Sequence, residues 1–220
     1  MGERLLGDPE VRVVLLRGEG RSFSAGLDRA MLGDGTDEEP GLGALATLPA
    51  GELDAVIAGF QRAFTWWRDP RLVSISAVQG HAVGAGFQLA LACDLRVMAD
   101  DVQLSMREIR LGLVPDLGGT KPLVDLVGPS RALDLCLTGR WVAADEALAT
   151  GLASSVVPVA GLDAAARALA DSILSASPGA VRAVTGLLAG AGARSHEEQQ
   201  ARERDAQVGR LRDLVATEEA

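Results

Sequence analysis

Two glycine-rich loops are the segments of this chain best suited to catalysis or ligand binding. Each loop follows an apolar, strand-like run and leads into the start of a helix. Residues 80–86, with the sequence GHAVGAG, follow the apolar run 72–78 and open the helical pattern 87–93. Residues 18–26 follow a similar run at 11–17. Glycine lets a backbone approach a ligand closely, and the N–H groups at a helix start attract negative charge. Two such loops can supply two converging amide donors, which is how an oxyanion hole is built.

The bulk composition predicts a soluble domain of moderate size. The 220 residues are 48% apolar, which is ample for a packed core. The formal net charge of −9 argues against a nucleic-acid partner, since phosphate contacts need clustered Lys and Arg. No apolar run reaches membrane-spanning length, and the first residues lack the apolar part of a signal peptide. We therefore expect a cytoplasmic protein with no membrane partner.

The reactive side-chain types predict neither a metal centre nor a nucleophilic triad. Cys93 and Cys136 lie in apolar helical runs and are expected to be buried free thiols in a reducing compartment. The two histidines are far apart in sequence and no cysteine cluster exists, so no metal site is expected. Ser24 and Ser105 have no partner base nearby in the sequence.

The hydrophobic pattern predicts a strand-and-helix core followed by an all-helical tail. Strands are expected in the short apolar runs 11–17 (a buried strand), 72–78, 94–99, 102–106 and 154–157. Helices are expected at 52–68, 85–93, 120–127, 129–137, 143–150, 162–176, 178–189 and 195–217. The Gly-rich, acidic segment 33–51 is typical of a mobile surface loop. One stripe of the first tail helix must be covered by the core or by a neighbouring chain: Leu162, Ala165, Leu169 and Ile173.

Several motifs, in order along nearly the whole chain, resemble the crotonase superfamily, also called the enoyl-CoA hydratase/isomerase family. They are DPEVRVVL at 8–15, FSAGLD at 23–28, GHAVGAG at 80–86, ACDLR at 92–96 and GLVPDLGGT at 112–120. The resemblance implies an α/β fold, a spiral of ββα units with a C-terminal helical trimerisation region, and assembly as a homotrimer or hexamer. It divides the chain into a core at 1–160 and a helical region at 161–220. The strand and helix that usually precede these motifs in the family are missing from the sequence.

The same resemblance implies an acyl-CoA thioester as substrate, as in fatty acid metabolism, with CoA as part of the substrate and no separate cofactor. In the family, two backbone N–H groups polarise the thioester carbonyl and stabilise an enolate. On this chain those groups are the amides of Leu27 and Ala85. The residues beside them are the implied substrate- and CoA-binding residues: Ala25, Gly26, Asp28, Arg29, Gly84 and Gly86. Arg29 is either a contact to a CoA phosphate or a solvated side chain.

The acid–base residues depart from the pattern of the family's hydratases. Those enzymes carry two glutamates, and this chain has Gln88 and Glu108 at the matching positions. Gln88 has no titratable proton, so its expected role is to position water or substrate by hydrogen bonds. Glu108 is the expected catalytic group, with a pKa raised by apolar neighbours: Met106, Ile109, Leu111 and Leu113. The alternative is a surface carboxylate paired with Arg107 or Arg110.

Asp116 is the second candidate carboxylate, and its sequence context allows two roles. It stands in a turn that enters a helix, where an aspartate often serves as an N-cap. Some family isomerases that act on dienoyl or ring-containing acyl-CoAs place a catalytic aspartate here. With Gln88 in place of a glutamate, a pair formed by Glu108 and Asp116 could pass a proton between two carbons of an acyl chain.

The residues therefore favour an isomerase or an atypical hydratase over an ordinary hydratase. Two other functions stay open: a non-catalytic acyl-CoA-binding protein on the same scaffold, and another family chemistry such as thioester hydrolysis. Phe60, Phe64 and Trp67 stand at helical spacing and belong either to the core or to an acyl pocket.

Overall fold

A computed structural model describes residues 1–33, 35 and 41–218. The strands in this part of the chain are β1 (Val13–Arg17), β2 (Val73–Val78), β3 (His81–Val83), β4 (Leu95–Ala99), β5 (Gln103–Ser105), β6 (Val142–Ala143) and β7 (Ser155–Val157). The helices are α1 (Gly2–Leu6), α2 (Leu42–Leu45), α3 (Ala50–Thr65), α4 (Ala85–Ala92), α5 (Thr120–Val127), α6 (Pro129–Thr138), α7 (Ala144–Ala149), α8 (Leu162–Leu174), α9 (Pro178–Leu188) and α10 (His196–Glu218).

The main sheet has four parallel strands in the order β1-β2-β4-β7. Every residue of β2 is buried, which explains why the sequence of this strand is a continuous apolar run rather than an alternating one.

The prediction of a strand at 11–17 is confirmed, but the prediction that this strand is buried is wrong. β1 lies at the edge of the sheet, and Leu15 is exposed.

A smaller second sheet joins the predicted glycine loop to two later segments. β3 pairs in parallel with β5, and β5 pairs antiparallel with β6. We expected residues 80–84 to form only a turn and did not expect β6. Strands of two or three residues are too short to show the period-2 alternation that identifies a strand.

The core consists of three clusters of buried apolar residues. The largest lies around α4, α5, α6 and the small sheet and includes Phe87, Leu91 and Leu104. The second joins the main sheet to α8 through Ile75, Val97 and Leu162. The apolar stripe of α8 thus packs on the chain's own sheet, with Leu162 buried and with Ala165, Leu169 and Ile173 partly buried. The third contains Trp67, Ala92 and Cys93.

Three further sequence predictions need comment. The tail after residue 161 is helical, as predicted. The segment 33–51, predicted to be a mobile loop, contains α2 with a buried Leu45, while its residues 34 and 36–40 lie outside the described part of the structure. Cys93 is buried as predicted, but Cys136 is only half-buried because α6 lies at the surface of the core.

No single helix among the described residues is long and apolar enough to cross a membrane, although the bent pair 159–174 and 178–193 has the length and apolar character only when taken together. The same residues contain no group of three or more His, Cys, Asp or Glu side chains that could hold a metal ion.

Candidate active site

The two glycine-rich loops lie against each other. The N–H of Ser24 donates to the carbonyl oxygen of His81 at 3.0 Å, and the N–H of Val83 donates to the carbonyl oxygen of Ser24 at 3.0 Å. Gly26 has a φ of +91°, and a Cβ there would lie 2.5 Å from the carbonyl oxygen of Val83 and 3.8 Å from the nitrogen of Ala85. Only glycine fits this approach, so the loops are built to bring residues 26 and 85 together.

The two implied oxyanion donors stand at this meeting point. Ala85 is the first residue of α4, where the helix dipole favours negative charge, and Leu27 follows Gly26 directly. Within the described residues, neither amide donates a hydrogen bond to the protein. Both N–H groups are therefore left for another acceptor, although their role as oxyanion donors stays a prediction.

The glycines beside the donors are required by close packing. A Cβ at Gly86 would lie 2.6 Å from the Cβ of Ser24, which would push the first loop away from α4. A Cβ at Gly84 would lie 3.3 Å from Oε1 of Glu108, and the φ of Gly84 is +51°. These two positions shape the backbone of the site, and contacts from them to CoA stay a prediction.

The remaining implied CoA-binding residues follow the first loop. Ala25 is exposed. Asp28 accepts a hydrogen bond from the N–H of Ala30 at 2.9 Å and so caps a short 3-10 helix, Arg29–Leu32. The side chain of Arg29 lies outside the described part of the structure, and its two alternatives stay open.

Glu108 is buried against Gly84, the residue before α4, with 9% of its surface exposed. Its Oε1 accepts a hydrogen bond of 2.7 Å from Nε2 of Gln88. Its Oε2 is buried and has no hydrogen-bond partner among the described residues. Burial raises the pKa of Glu108, the charge of Asp116 raises this pKa further, and the bond from Gln88 opposes the rise. A role for Glu108 as a proton acceptor stays a prediction.

The residues that bury Glu108 differ from those predicted. Met106 is buried, but Ile109, Leu111 and Leu113 are exposed, because the 3-10 helix Glu108–Leu111 turns them outward. The ion-pair alternative is also absent from the described structure. The guanidinium of Arg107 lies 4.5 Å from the ring centre of Trp141, and Arg110 donates to the carbonyl oxygen of Thr138.

The side-chain amide of Gln88 is held at both ends. Its Oε1 accepts hydrogen bonds from the N–H groups of Leu117 at 2.9 Å and Gly119 at 3.2 Å. These two bonds identify the oxygen end and leave Nε2 to donate to Glu108. Since both lone pairs of Oε1 are used, this oxygen has no capacity to accept a hydrogen bond from water.

Asp116 is half-buried, and its carboxylate has no hydrogen-bond or ion-pair partner among the described residues. The N-cap of α5 is Gly119, without a side-chain bond, so the capping alternative for Asp116 is not observed. The carbonyl oxygen of Asp116 accepts a hydrogen bond of 2.7 Å from Nε2 of Gln61 on α3. The sequence analysis missed Gln61, because a bond to a backbone carbonyl leaves no motif.

The apolar side chains predicted at helical spacing in this region, either as core or as acyl pocket, do not share one environment. Trp67 is buried and Phe64 is half-buried in the third core cluster. Phe60 is 41% exposed and belongs to no core cluster.

His81, in the second glycine-rich loop, is also exposed. Its Nδ1 lies 3.3 Å from Oγ of Ser22, and its ring packs edge-on against Trp141.

Comparison with known proteins supports the resemblance inferred from the motifs. The enoyl-CoA hydratase/isomerase family model matches residues 3–219. A Mycobacterium tuberculosis protein assigned as an enoyl-CoA hydratase is 35% identical over 175 residues, which are 80% of this chain and 62% of the relative. The carnitinyl-CoA dehydratase of Salmonella typhi is 36% identical over 188 residues, which are 84% of this chain and 67% of the relative. The chain thus spans less than two thirds of the mycobacterial relative.

Solved structures agree with this relationship. A Thermobifida fusca protein assigned as an enoyl-CoA hydratase, in complex with CoA, has a TM-score of 0.89 and 45% identity, covering 98% of this chain and 85% of its own. Its complex with acetoacetyl-CoA has a TM-score of 0.89 and 46% identity, covering 97% and 86%. The mixed α/β architecture is accordingly the crotonase fold. The chain belongs to the enoyl-CoA hydratase/isomerase family, the crotonase superfamily.

Proposed function

We propose that this chain is an enzyme that moves a double bond in an acyl-CoA thioester and acts through an enolate. The observation that carries the proposal is the set of hydrogen bonds made by the side-chain amide of Gln88. Its oxygen accepts from the N–H groups of Leu117 and Gly119, and its nitrogen donates to Glu108. This leaves Glu108 and Asp116 as the carboxyl groups available for proton transfer. The CoA and acetoacetyl-CoA complexes of the Thermobifida fusca relative support the choice of thioester.

The proposed reaction on a 3-enoyl-CoA needs two carboxyl groups, Glu108 and Asp116, and two amide donors. The thioester oxygen accepts hydrogen bonds from the N–H groups of Leu27 and Ala85. Oε2 of Glu108, which has no partner among the described residues, takes a proton from the α-carbon, and the electron pair enters the conjugated dienolate. Glu108 then passes this proton to Asp116, which delivers it to the γ-carbon, so that the double bond comes into conjugation with the thioester and both carboxylates end ionised as they began. Removing one oxyanion donor typically raises such a barrier by about 2.7–4 kcal/mol.

Ordinary hydration is disfavoured by the same geometry. Adding water across a double bond requires one group to take a proton from water and another to protonate the α-carbon. Gln88 has no proton to exchange, and its oxygen is already saturated with hydrogen bonds. An atypical hydration through Glu108 and Asp116 is the second candidate, favoured by the unpartnered carboxylate of Asp116.

Product identification separates these functions. The purified protein is incubated with a 3-enoyl-CoA and, separately, with the 2-enoyl isomer, and the products are resolved by mass. The proposal predicts conversion of the 3-enoyl to the 2-enoyl thioester at unchanged mass. A product heavier by one water would indicate the atypical hydratase, and free CoA would indicate thioester hydrolysis. Binding of both thioesters without any change would indicate a binding protein.

A further inference from the structure

The loop that carries Asp116 is held by glutamine side chains from two different helices. Gln61 on α3 donates to the carbonyl oxygen of Asp116 at 2.7 Å. Gln88 on α4 accepts from the N–H of Leu117 at 2.9 Å and from that of Gly119 at 3.2 Å. We call residues 114–118 the aspartate loop. Within the described residues, these two glutamines are its only hydrogen-bond partners outside the loop.

Beyond these hydrogen bonds, the aspartate loop is held by the half-buried side chains of Pro115 and Leu117. Gly118 has a φ of +83°, and a Cβ there would meet only the methyl group of Thr65 at 4.0 Å. Val114 is exposed, so its side chain does not hold the loop to the core. The two glutamines therefore supply the hydrogen bonds that position the loop backbone at Asp116 and Leu117.

Because Gln88 also donates to Glu108, it links the Leu117 end of the aspartate loop to the carboxyl group of Glu108. The other side is set by Gln61 alone. We propose that Gln61 is a positioning residue: by holding the carbonyl of Asp116, it fixes the separation between the carboxyl groups of Asp116 and Glu108. This inference rests on the proposed proton transfer, in which that separation determines which acyl carbon Asp116 can reach.

Electrostatics provide an independent sign that the two carboxyl groups lie within range of each other. The charge of Asp116 raises the pKa of Glu108, in addition to the larger effect of burial. Cys136 on α6 also interacts with Glu108, since its pKa is raised by burial and by the charge of Glu108. Displacement of Asp116 would remove its contribution and lower the pKa of Glu108, which gives a readout independent of turnover.

The experiment compares Gln61→Met with Arg62→Met, an exposed neighbour on the same helix. Methionine keeps the length and helix propensity of glutamine but cannot donate to the carbonyl. Displacing a catalytic group by about 1 Å can cost up to about 100-fold in rate, so Gln61→Met should lower kcat by up to that factor with little change in KM. It should also change the ratio of deuterium incorporated at the two acyl carbons from D₂O. Arg62→Met should match the wild type.

A double-mutant cycle tests whether Gln61 acts through Asp116. In an Asp116→Asn background, Gln61→Met should cause no further loss of kcat and no further shift in the pKa of Glu108, followed by carbon-13 carboxyl resonances. An undiminished loss in that background would overturn the proposal. So would a wild-type pKa of Glu108 in a folded Gln61→Met protein. Gln61→Asn, whose amide is too short to reach the carbonyl, provides a second variant with the same expected results.

The titration also separates this inference from the proposed function. If the wild type turns over no enoyl-CoA, the proposed function fails, while a fall in the pKa of Glu108 in Gln61→Met would still support the positioning role. If turnover is normal and neither kcat nor the pKa responds to Gln61→Met, the positioning role alone fails.

Discussion

The Nε2 atom of Gln88 donates to Oε1 of Glu108 at 2.7 Å, while the oxygen of the same amide accepts two backbone N–H groups. A carboxylate at position 88 would be a proton donor or acceptor in the reaction. The amide instead fixes the orientation of Glu108 and leaves Oε2 without a hydrogen-bond partner among the described residues. One residue thus changes the available chemistry while the surrounding backbone geometry of the family is kept.

Replacing Glu108 by glutamine should strongly lower turnover and increase stability at neutral pH. Loss of a positioned acid–base group costs roughly 10²- to 10⁴-fold in rate. Folding raises the pKa of Glu108, so its stabilising contribution is present below the unfolded pKa and is lost as the pH rises through the folded pKa. Denaturant unfolding of Glu108→Gln at neutral pH should therefore give a larger unfolding free energy than that of the wild type. Equal stability of the two proteins from acid to neutral pH would contradict the raised pKa.

The wild-type rate should rise with pH through the pKa of Glu108, because the ionised form takes the substrate proton. Burial and the charge of Asp116 place this pKa above the ordinary value for glutamate. Asp116→Asn removes one of these causes and should move the acidic limb of the kcat/KM profile to lower pH. A profile that does not move in this variant would show that the charge of Asp116 does not reach Glu108.

Gln88→Glu should introduce water addition to a 2-enoyl-CoA. A carboxylate can accept the same N–H groups of Leu117 and Gly119, and its other oxygen would lie beside Oε1 of Glu108. Two carboxyl groups at this distance cannot both ionise easily, so one keeps a proton at a raised pKa and the other is a base. Hydration is measured by the loss of enoyl absorbance. Gln88→Ala is the control and should gain nothing; equal rates for both variants would argue against the pairing.

Gly26→Ala should disrupt the meeting of the two glycine-rich loops. The new Cβ would lie 2.5 Å from the carbonyl oxygen of Val83, at a φ of +91° that side chains disfavour. A strained residue of this kind costs about 1–3 kcal/mol, and the donor at Leu27 would be displaced with it. The matched control is Gly20→Ala, since a Cβ at Gly20 meets nothing within 4 Å. Similar melting temperatures and rates for both variants would show that the loops tolerate separation.

The chain is expected to assemble as a homotrimer or hexamer. Exposed apolar side chains occur on α6 and α10, including Leu133, Leu137, Leu211 and Leu214, and such surfaces usually mark interfaces. Light scattering at micromolar concentration should report an assembly, and Leu211→Glu should weaken it. A wild-type monomer under these conditions would count against the assembly.

The sequence predicted the elements that carry strong local signals. The strand 72–78, the loop at 80–86 and helix α4 follow from a β-branched run, closely spaced glycines and an apolar helical pattern. β3 and β6 could not be predicted, because their partners lie on distant segments and their lengths show no period. The edge position of β1 depends on the order of strands in the sheet, which the local sequence does not encode.

The roles of the site residues stay predictions, and the surroundings of Glu108 differ from those expected from the sequence. The burial of Glu108 was expected from Ile109 and Leu111, yet these side chains are exposed and Gln88 and Gly84 contact the carboxyl group instead. A short 3-10 helix changes which neighbours face inward, and its geometry is not visible in the apolar pattern. The bond from Gln61 to the carbonyl of Asp116 joins residues 55 positions apart and requires no particular residue type at the acceptor.

The most direct test of the account is incubation of wild-type protein and Glu108→Gln with a 3-enoyl-CoA in D₂O, with mass and absorbance followed together. The account predicts that the wild type forms the conjugated 2-enoyl thioester with deuterium incorporated on the acyl chain, and that Glu108→Gln leaves both signals unchanged. Isomerisation at the wild-type rate by Glu108→Gln, or a bound substrate that never changes in the wild type, would contradict it.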